Sequence, residues 1–202
     1  MVLAVIVLGY LLGSLPFGLI LGRLVYRIDV RQHGSGNIGA TNVLRLIGWK
    51  AALPVFLLDL AKGAAAVMIA RYFFDAPLVY MAAGLAAMLG HSFSIFIGFK
   101  GGKAAATGVG VLGALSPWIT LILLACFAII IGLTRYVSLG SITCAALAPI
   151  LFALFGFSFE YLVFALIMAI LVIWRHHENV GRLLKGTESR LGQKKSGSRR
   201  ES

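Results

Sequence analysis

The stretch that decides the fold is residues 2–21, VLAVIVLGYLLGSLPFGLIL, which contains no charged side chain. About 20 apolar residues in a helix cross the bilayer's hydrocarbon core, which is about 30 Å thick. Further apolar runs, each bounded by charged or turn-forming residues, follow at about 51–70, 77–97, 104–115, 117–133, 138–155 and 159–174. The sequence therefore predicts seven transmembrane helices, the fourth of which is short, glycine-rich and separated from the fifth at Ser116 and Pro117.

The composition agrees with this prediction. Of the 202 residues, 60% are hydrophobic and 12% are charged, whereas soluble domains average about 45–50% and about 25%. These values exclude a disordered chain, a disulfide scaffold and nearly every class of soluble enzyme. We expect an all-α, polytopic integral membrane protein, with a single seven-helix domain at residues 1–189 and a basic, disordered cytoplasmic tail at 190–202.

The basic residues predict the orientation of the chain. Lys and Arg number 18 against 7 Asp and Glu, for a formal net charge of +11. With seven spans, one set of loop ends carries Arg23, Arg27, Arg31, Arg45, Lys50, Lys100, Lys103 and Arg135. The opposite set carries Arg71 alone. The positive-inside rule then places the C-terminus in the cytoplasm and the N-terminus outside.

Three polar segments fall on the predicted cytoplasmic side. They are residues 34–45 (GSGNIGATNVLR), 90–103 (GHSFSIFIGFKGGK) and 175–188 (RHHENVGRLLKGTE). Glycine lets backbone N–H groups approach phosphate oxygens, and Arg and Lys supply the countercharge. The segments therefore predict one anion site at that membrane face. The alternative is that they are flexible turns carrying ordinary positive-inside charge.

Two other sites are excluded by context. The GxGxxG matches at 34–39 and 108–113 do not follow a strand in a βαβ unit, so a dinucleotide fold is not expected. His176 and His177 are adjacent and point in different directions on a helix, so we expect no metal site.

Asp59 and Lys62 lie three residues apart inside the second span, where unpaired charges are costly. We expect them to pair, either as a structural element or in support of the site.

The three polar segments resemble the acyl-phosphate:glycerol-3-phosphate acyltransferases of bacterial inner membranes, the PlsY family, and the resemblance covers nearly the whole chain. GSLPFG at 13–18, Asp59 and Lys62-Gly63 support it, and Val180, where the family more often has isoleucine, is a mild departure. The resemblance implies transfer of a fatty acyl group from acyl phosphate to the sn-1 hydroxyl of glycerol 3-phosphate. The products are lysophosphatidic acid and phosphate, in the first step of phospholipid synthesis.

The resemblance also implies location in the inner membrane with the active site at the cytoplasmic face. No cofactor and no metal are expected. The expected partners are acyl phosphate, glycerol 3-phosphate and membrane lipids, with no nucleic acid, and the protein is expected to be a monomer. Phe93, Phe96 and Phe99 are either a wall for the acyl chain or an ordinary interfacial helix end.

The site residues carried over from the resemblance fall into two groups. The expected catalytic residues are Ser35, Arg45, Lys103, His176 and Asn179. The expected substrate-binding residues are Gly36, Asn37, Thr41, Gly101, Gly102 and Ser141. The donor phosphate is assigned to the first loop and Gly102, and glycerol 3-phosphate to Arg45, Lys103, His176 and Asn179. The proton of the acceptor hydroxyl passes either to His176 or to a phosphate oxygen of the donor.

A rival hypothesis is a membrane transporter of a phosphorylated metabolite, which would also have buried charges and glycine-broken helices. Against it, the polar segments crowd one face of the membrane and do not line a path through the midplane.

Overall fold

The computed structural model describes residues 1–193, which contain helices and turns and no strand. The helices are α1 (Val2–Ser14), α2 (Phe17–Leu24), α3 (Ala40–Leu46), α4 (Trp49–Phe73), α5 (Pro77–Ser92), α6 (Ala105–Leu115), α7 (Pro117–Thr134), α8 (Val137–Leu154), α9 (Phe159–Arg175) and α10 (His177–Leu184). A short 3-10 helix, Ile95–Ile97, follows α5. Residues 194–202, most of the predicted basic tail, lie outside the described part of the chain.

Five segments of residues 1–193 are long and apolar enough to cross a bilayer. They are Val2–Leu24, Trp49–Phe73, Pro77–Ile97, Pro117–Thr134 and Val137–Leu154. A sixth is possible if α9 and α10, which meet at a bend of 59°, count as one span. Helix α6 has 11 residues and is about 16 Å long, roughly half the hydrocarbon thickness. The all-helical membrane architecture is confirmed, as is the break between α6 and α7 at Ser116; the count of seven stays a prediction.

Two helix ends within the bundle are satisfied by basic side chains. The first span breaks between α1 and α2 at Leu15 and Pro16, and Lys62 Nζ donates to the Leu15 carbonyl at 2.8 Å. The same Nζ lies 2.8 Å from Asp59 Oδ1, with both side chains about 3% exposed, so the predicted pair is confirmed. Arg71 donates to the Ala114 carbonyl at 2.9 Å, at the end of α6. The Ala114 carbonyl lies in the last turn of α6, where intrahelical donors run out, and the Leu15 carbonyl also accepts from the Phe17 N–H at 3.1 Å.

Close helix packing positions the site. Gly9 and Gly13 of α1 face α5, where an added Cβ would lie 2.6 Å from the Ala83 carbonyl oxygen and 2.0 Å from that of Ala87. The small-residue spacing in α1 therefore serves helix packing. Helix α6 packs between α4, α5 and α7, and the principal core lies around it and α9. This arrangement gathers the polar loop ends at one end of the bundle.

Candidate active site

One polar cavity of about 90 Å³ collects residues from segments far apart in the chain. Eight of the eleven expected site residues line it: Ser35, Asn37, Thr41, Arg45, Lys103, Ser141, His176 and Asn179. The lining also includes residues to which the sequence analysis gave no role in binding, among them Asn42, His91, Ser138 and Glu188. The predicted convergence of the three polar segments is confirmed, and the roles of the individual residues stay predictions.

Asn42, which is 2% exposed, shapes the first loop. Its Nδ2 donates to the carbonyls of Val30, His33 and Asn37 at 2.8–3.2 Å, and its Oδ1 accepts from the Ser35 N–H at 3.0 Å. A single buried amide therefore replaces the hydrogen bonds that a regular helix or sheet would provide. It holds the loop so that Ser35 and Asn37 face the cavity.

The three glycines expected to bind phosphate do not line the cavity. The N–H groups of Gly101 and Gly102 already donate to the carbonyls of Ser92 and His91, at 3.1 and 2.9 Å, and the N–H of Gly36 donates to the His33 carbonyl at 3.0 Å. This corrects the expectation that these N–H groups point toward a substrate phosphate.

The glycines at 101 and 102 have a packing role in this structure. A Cβ on Gly102 would lie 2.1 Å from His91 Nε2, so only glycine fits this backbone position. Arg175 clamps the turn from the other side, because Nε donates to the Gly102 carbonyl at 3.0 Å and Nη2 to the Gly101 carbonyl at 3.1 Å. The turn delivers Lys103, the next residue, into the cavity.

A hydrogen-bonded network around Glu188 closes the opposite wall. Glu188, which is 5% exposed, accepts from Asn179 Nδ2 and Arg182 Nε at 2.7 Å and from Ser138 Oγ at 2.9 Å. Asn179 Oδ1 in turn accepts from Lys103 Nζ. The carboxylate thus fixes the orientation of the Asn179 amide, which presents its oxygen to the lysine. Glu188 and Ser138 were not among the predicted site residues, because only the fold brings them into contact. The one signal in the sequence was an acidic residue at the end of a strongly basic segment.

The charges in the cavity are unevenly balanced. Glu188 is paired with Arg182, and Asp59 with Lys62. The two cations that line the cavity are Lys103 and Arg45. Lys103 contacts the side-chain oxygen of Asn179, Arg45 contacts the Ser189 carbonyl oxygen at 3.1 Å, and both oxygens are neutral. Burial lowers the pKa of both side chains, and it brings that of Lys103, with the nearby Arg182 charge, to about 8. The cavity therefore favours anionic ligands.

His176 is neutral at physiological pH. Burial and the Lys103 charge lower its pKa to about 4, although the hydrogen bond to the Val172 carbonyl acts in the opposite direction. Its Nδ1 lies 2.7 Å from that carbonyl oxygen, which can only accept, so Nδ1 carries the proton. Nε2 is therefore the basic nitrogen, able to accept a hydrogen bond from a hydroxyl group.

A second, apolar cavity of about 330 Å³ adjoins the polar one. The residues that line both cavities are Thr41, Ala105, Ala106, Val137 and Ser141. Phe93, Phe96 and Phe99 do not line it: Phe93 packs beside Trp174, and the other two are more than half exposed. Of the two alternatives for these phenylalanines, the interfacial helix end is therefore the one that the structure supports.

Comparison with known proteins gives concordant matches. A family model described as glycerol-3-phosphate acyltransferase matches residues 3–186. A glycerol-3-phosphate acyltransferase of Thermoanaerobacter pseudethanolicus is 48% identical, over 93% of this chain and 94% of its own. One of a Synechococcus species is 47% identical, over 95% and 96%.

Two solved structures share the fold. Both are crystal structures of PlsY, an integral membrane glycerol 3-phosphate acyltransferase, in a glycerol 3-phosphate form and a lysophosphatidic acid form. Their TM-scores are 0.90 and 0.88, at 42% and 41% identity, and each match covers 95% of this chain and 96% or 95% of the other.

The Glu188 network predicts a clear stability difference between two acids of the same segment. Glu188→Ala removes three hydrogen bonds from buried or half-buried donors and should lower the free energy of unfolding by about 2 kcal/mol. Glu178→Ala is the matched control, because that side chain is 64% exposed and its Arg182 contact is 3.7 Å long; it should change the value by less than about 0.5 kcal/mol. Thermal unfolding in detergent measures both, and equal shifts would contradict the network's importance.

Proposed function

The chain belongs to the glycerol-3-phosphate acyltransferase family, and we propose that it transfers a fatty acyl group from acyl phosphate to the sn-1 hydroxyl of glycerol 3-phosphate. The products are lysophosphatidic acid and inorganic phosphate, and the reaction is the first step of phospholipid synthesis. Family membership carries the acyltransferase activity; acyl phosphate as the donor and the sn-1 position are the parts we propose.

The observation that supports this proposal is the joining of two unlike cavities. One holds two cations, Arg45 and Lys103, whose contacts are neutral, and the other is almost wholly apolar. Acyl phosphate and glycerol 3-phosphate together bring two phosphates and one acyl chain. The acyl carbonyl fits at the junction, near Thr41 and Ser141, with the chain in the apolar cavity and the phosphates among the polar residues.

The residues divide between the two substrates according to position. Thr41 lines both cavities, and Ser35 and Asn37 line the polar one from the same segment, so we assign these three residues to the donor phosphate. Arg45, Lys103, His176 and Asn179 are assigned to glycerol 3-phosphate. Ser141, at the junction, would contact the reacting carbonyl.

The chemistry is direct acyl transfer. The acceptor hydroxyl oxygen attacks the acyl carbonyl carbon, the bond from that carbon to the phosphate oxygen breaks, and inorganic phosphate leaves. Because an acyl phosphate is already activated, positioning and charge stabilisation supply most of the rate enhancement. The hydroxyl proton has two available acceptors, Nε2 of His176 and an oxygen of the departing phosphate.

The placement in the membrane follows the charge pattern. We propose seven spans with α6 as the short one, the N-terminus outside, and the C-terminus and active site at the cytoplasmic face of the inner membrane. All residues assigned to the reaction come from one chain, which agrees with a monomer. The transporter hypothesis loses its basis, because the family is one of acyltransferases and the polar residues surround a cavity at one end of the bundle.

Purified protein in detergent should form lysophosphatidic acid from synthetic acyl phosphate and glycerol 3-phosphate, with one phosphate released per product. Acyl-CoA in place of acyl phosphate should give no product. Mass spectrometry and a phosphate assay measure both outcomes. Lys103→Ala and Arg45→Ala should each lower kcat/KM at least about 100-fold, a loss of roughly 3 kcal/mol for a phosphate contact to a cation. Full activity with acyl-CoA alone would overturn the donor assignment, and full activity in either variant the role of that cation.

The pKa of Lys103 predicts an alkaline limit to activity. Below pH 8 the ammonium is charged and binds phosphate; above pH 8 it loses its proton, so kcat/KM of the free enzyme should fall about tenfold per pH unit. Lys103→Arg keeps its charge at these pH values and should move the fall upward by more than one pH unit, whatever its absolute rate. The ratio of the two profiles cancels titration of the substrates, and a constant ratio from pH 7 to 10 would contradict the assignment.

His176→Ala separates the two possible proton acceptors. If Nε2 is the general base, kcat at saturating glycerol 3-phosphate should fall about 100-fold or more. If the leaving phosphate takes the proton, kcat should change by less than about fivefold while KM for the acceptor rises. His177→Ala, which alters the neighbouring exposed imidazole, is the matched control and should match the unsubstituted enzyme in both parameters.

A further inference from the structure

We propose that the apolar cavity is a length gauge for the acyl chain, with Ala148 of α8 as the specificity-determining residue at its closed end. This inference rests on the proposed function, because it takes the acyl chain of the donor as the occupant. The occupant is argued from adjacency: the apolar cavity shares five lining residues with the polar one, so the chain of a molecule that places its phosphate among the cations lies next to this apolar space.

The lining residues are ordered along four helices from the shared end to the far end. On α8 they run from Val137 to Ala148, and on α7, which is antiparallel, from Ile131 to Thr120. Each run covers 12 residues, which are 11 steps or about 16 Å of helix. An extended chain advances about 1.25 Å per carbon, a value that follows from the bond length and angle, so the cavity is about a dozen carbons long.

The width of the cavity comes from one face of α8. The residues of this helix that line it below the junction are Cys144, Ala145 and Ala148, at the i, i+1 and i+4 positions of one helical face. All three side chains are small. The adjoining wall, on α7, carries the larger side chains of Leu123, Leu124 and Phe127. A larger side chain at any of these three α8 positions would therefore reduce the space available to the acyl chain.

The far end is closed by buried residues. Ala148 is 2% exposed, and Leu112 and Leu123 beside it are each 6% exposed. One helical turn beyond Ala148, Phe152 is fully buried, and its ring packs against those of Phe157 and Tyr161 at centroid distances of 4.8 and 6.0 Å. The three rings do not themselves line the cavity; they pack one turn beyond its last α8 residue, and we take them as the limit of the acyl chain's path. Interiors at this packing density yield little to an inserted group.

A cavity of fixed length predicts a step in the dependence of kcat/KM on the length of the acyl chain. Each methylene buried contributes about 0.8 kcal/mol, which is about fourfold in kcat/KM. Up to the length of the cavity, kcat/KM should rise with each added carbon, and beyond it the gain should stop. A phenyl ring at position 148 reaches about 4 Å further than a methyl group and so should move the step to chains about three carbons shorter.

The test is a series of acyl phosphates from 8 to 18 carbons, assayed with the full-length enzyme in detergent at one fixed glycerol 3-phosphate concentration. Ala148→Phe should lower kcat/KM for 14- to 18-carbon donors at least tenfold while changing the 8-carbon value by less than about twofold. Ala146→Phe places the same ring on the exposed side of the same helix and is the matched control; its profile should follow that of the unsubstituted enzyme. Leu123→Ala should move the step the other way, to longer chains.

An unchanged profile in Ala148→Phe, or equal shifts in Ala148→Phe and Ala146→Phe, would overturn the gauge while leaving the acyltransferase proposal intact. If Ala148→Phe fails to fold, Ala148→Val and Leu123→Ala decide, and shifts in opposite directions support the gauge whereas parallel or absent shifts overturn it. Absence of product from the unsubstituted enzyme at every chain length would instead contradict the proposed function, so the two failures are distinguishable.

Discussion

A helix that stops inside an apolar bundle leaves carbonyl oxygens without donors, and the architecture of this protein depends on basic side chains that satisfy them. Lys62 donates to Leu15 at the break in the first span, Arg71 donates to Ala114 at the end of the short helix, and Arg175 donates to Gly101 and Gly102. Since an unsatisfied polar group in hydrocarbon costs several kcal/mol, these contacts make the interruptions tolerable. Without the interruptions the loops could not fold inward to form a cavity.

This use of positive charge separates two populations of basic residue that look alike in the sequence. Lys62 and Arg175 are engaged by the fold itself. Arg45 and Lys103 contact only neutral oxygens within the described part of the chain, and their charge remains available to substrates. The two cations that we propose to bind the substrates differ from Lys62 and Arg175 in that they line the polar cavity.

Much of the architecture could be predicted from the sequence because the bilayer imposes simple rules. The apolar runs located the helices, and the Asp59–Lys62 pair followed from the cost of isolated charge. The polar segments supplied seven of the eight predicted residues that line the cavity, since their types match phosphate chemistry. The remainder depends on contacts between distant positions. Glu188 meets Ser138 across 50 residues, and Gly102 is glycine because of His91, which no local pattern encodes. The three-residue spacing of the phenylalanines left two alternatives open, because spacing alone does not say which surface the rings line.

The segment after α10 is part of the folded unit. Beyond residue 186, at which the family model's match stops, Glu188 joins the cavity wall and the Ser189 carbonyl receives Arg45. Leu191 then exchanges two hydrogen bonds with Arg135, at 2.7 and 3.0 Å, and these hold the segment against the residue that ends α7. A truncation at residue 186, where the family model's match stops, would remove these contacts and release the wall that orients Asn179. The folded unit is therefore longer than the part that the family model matches.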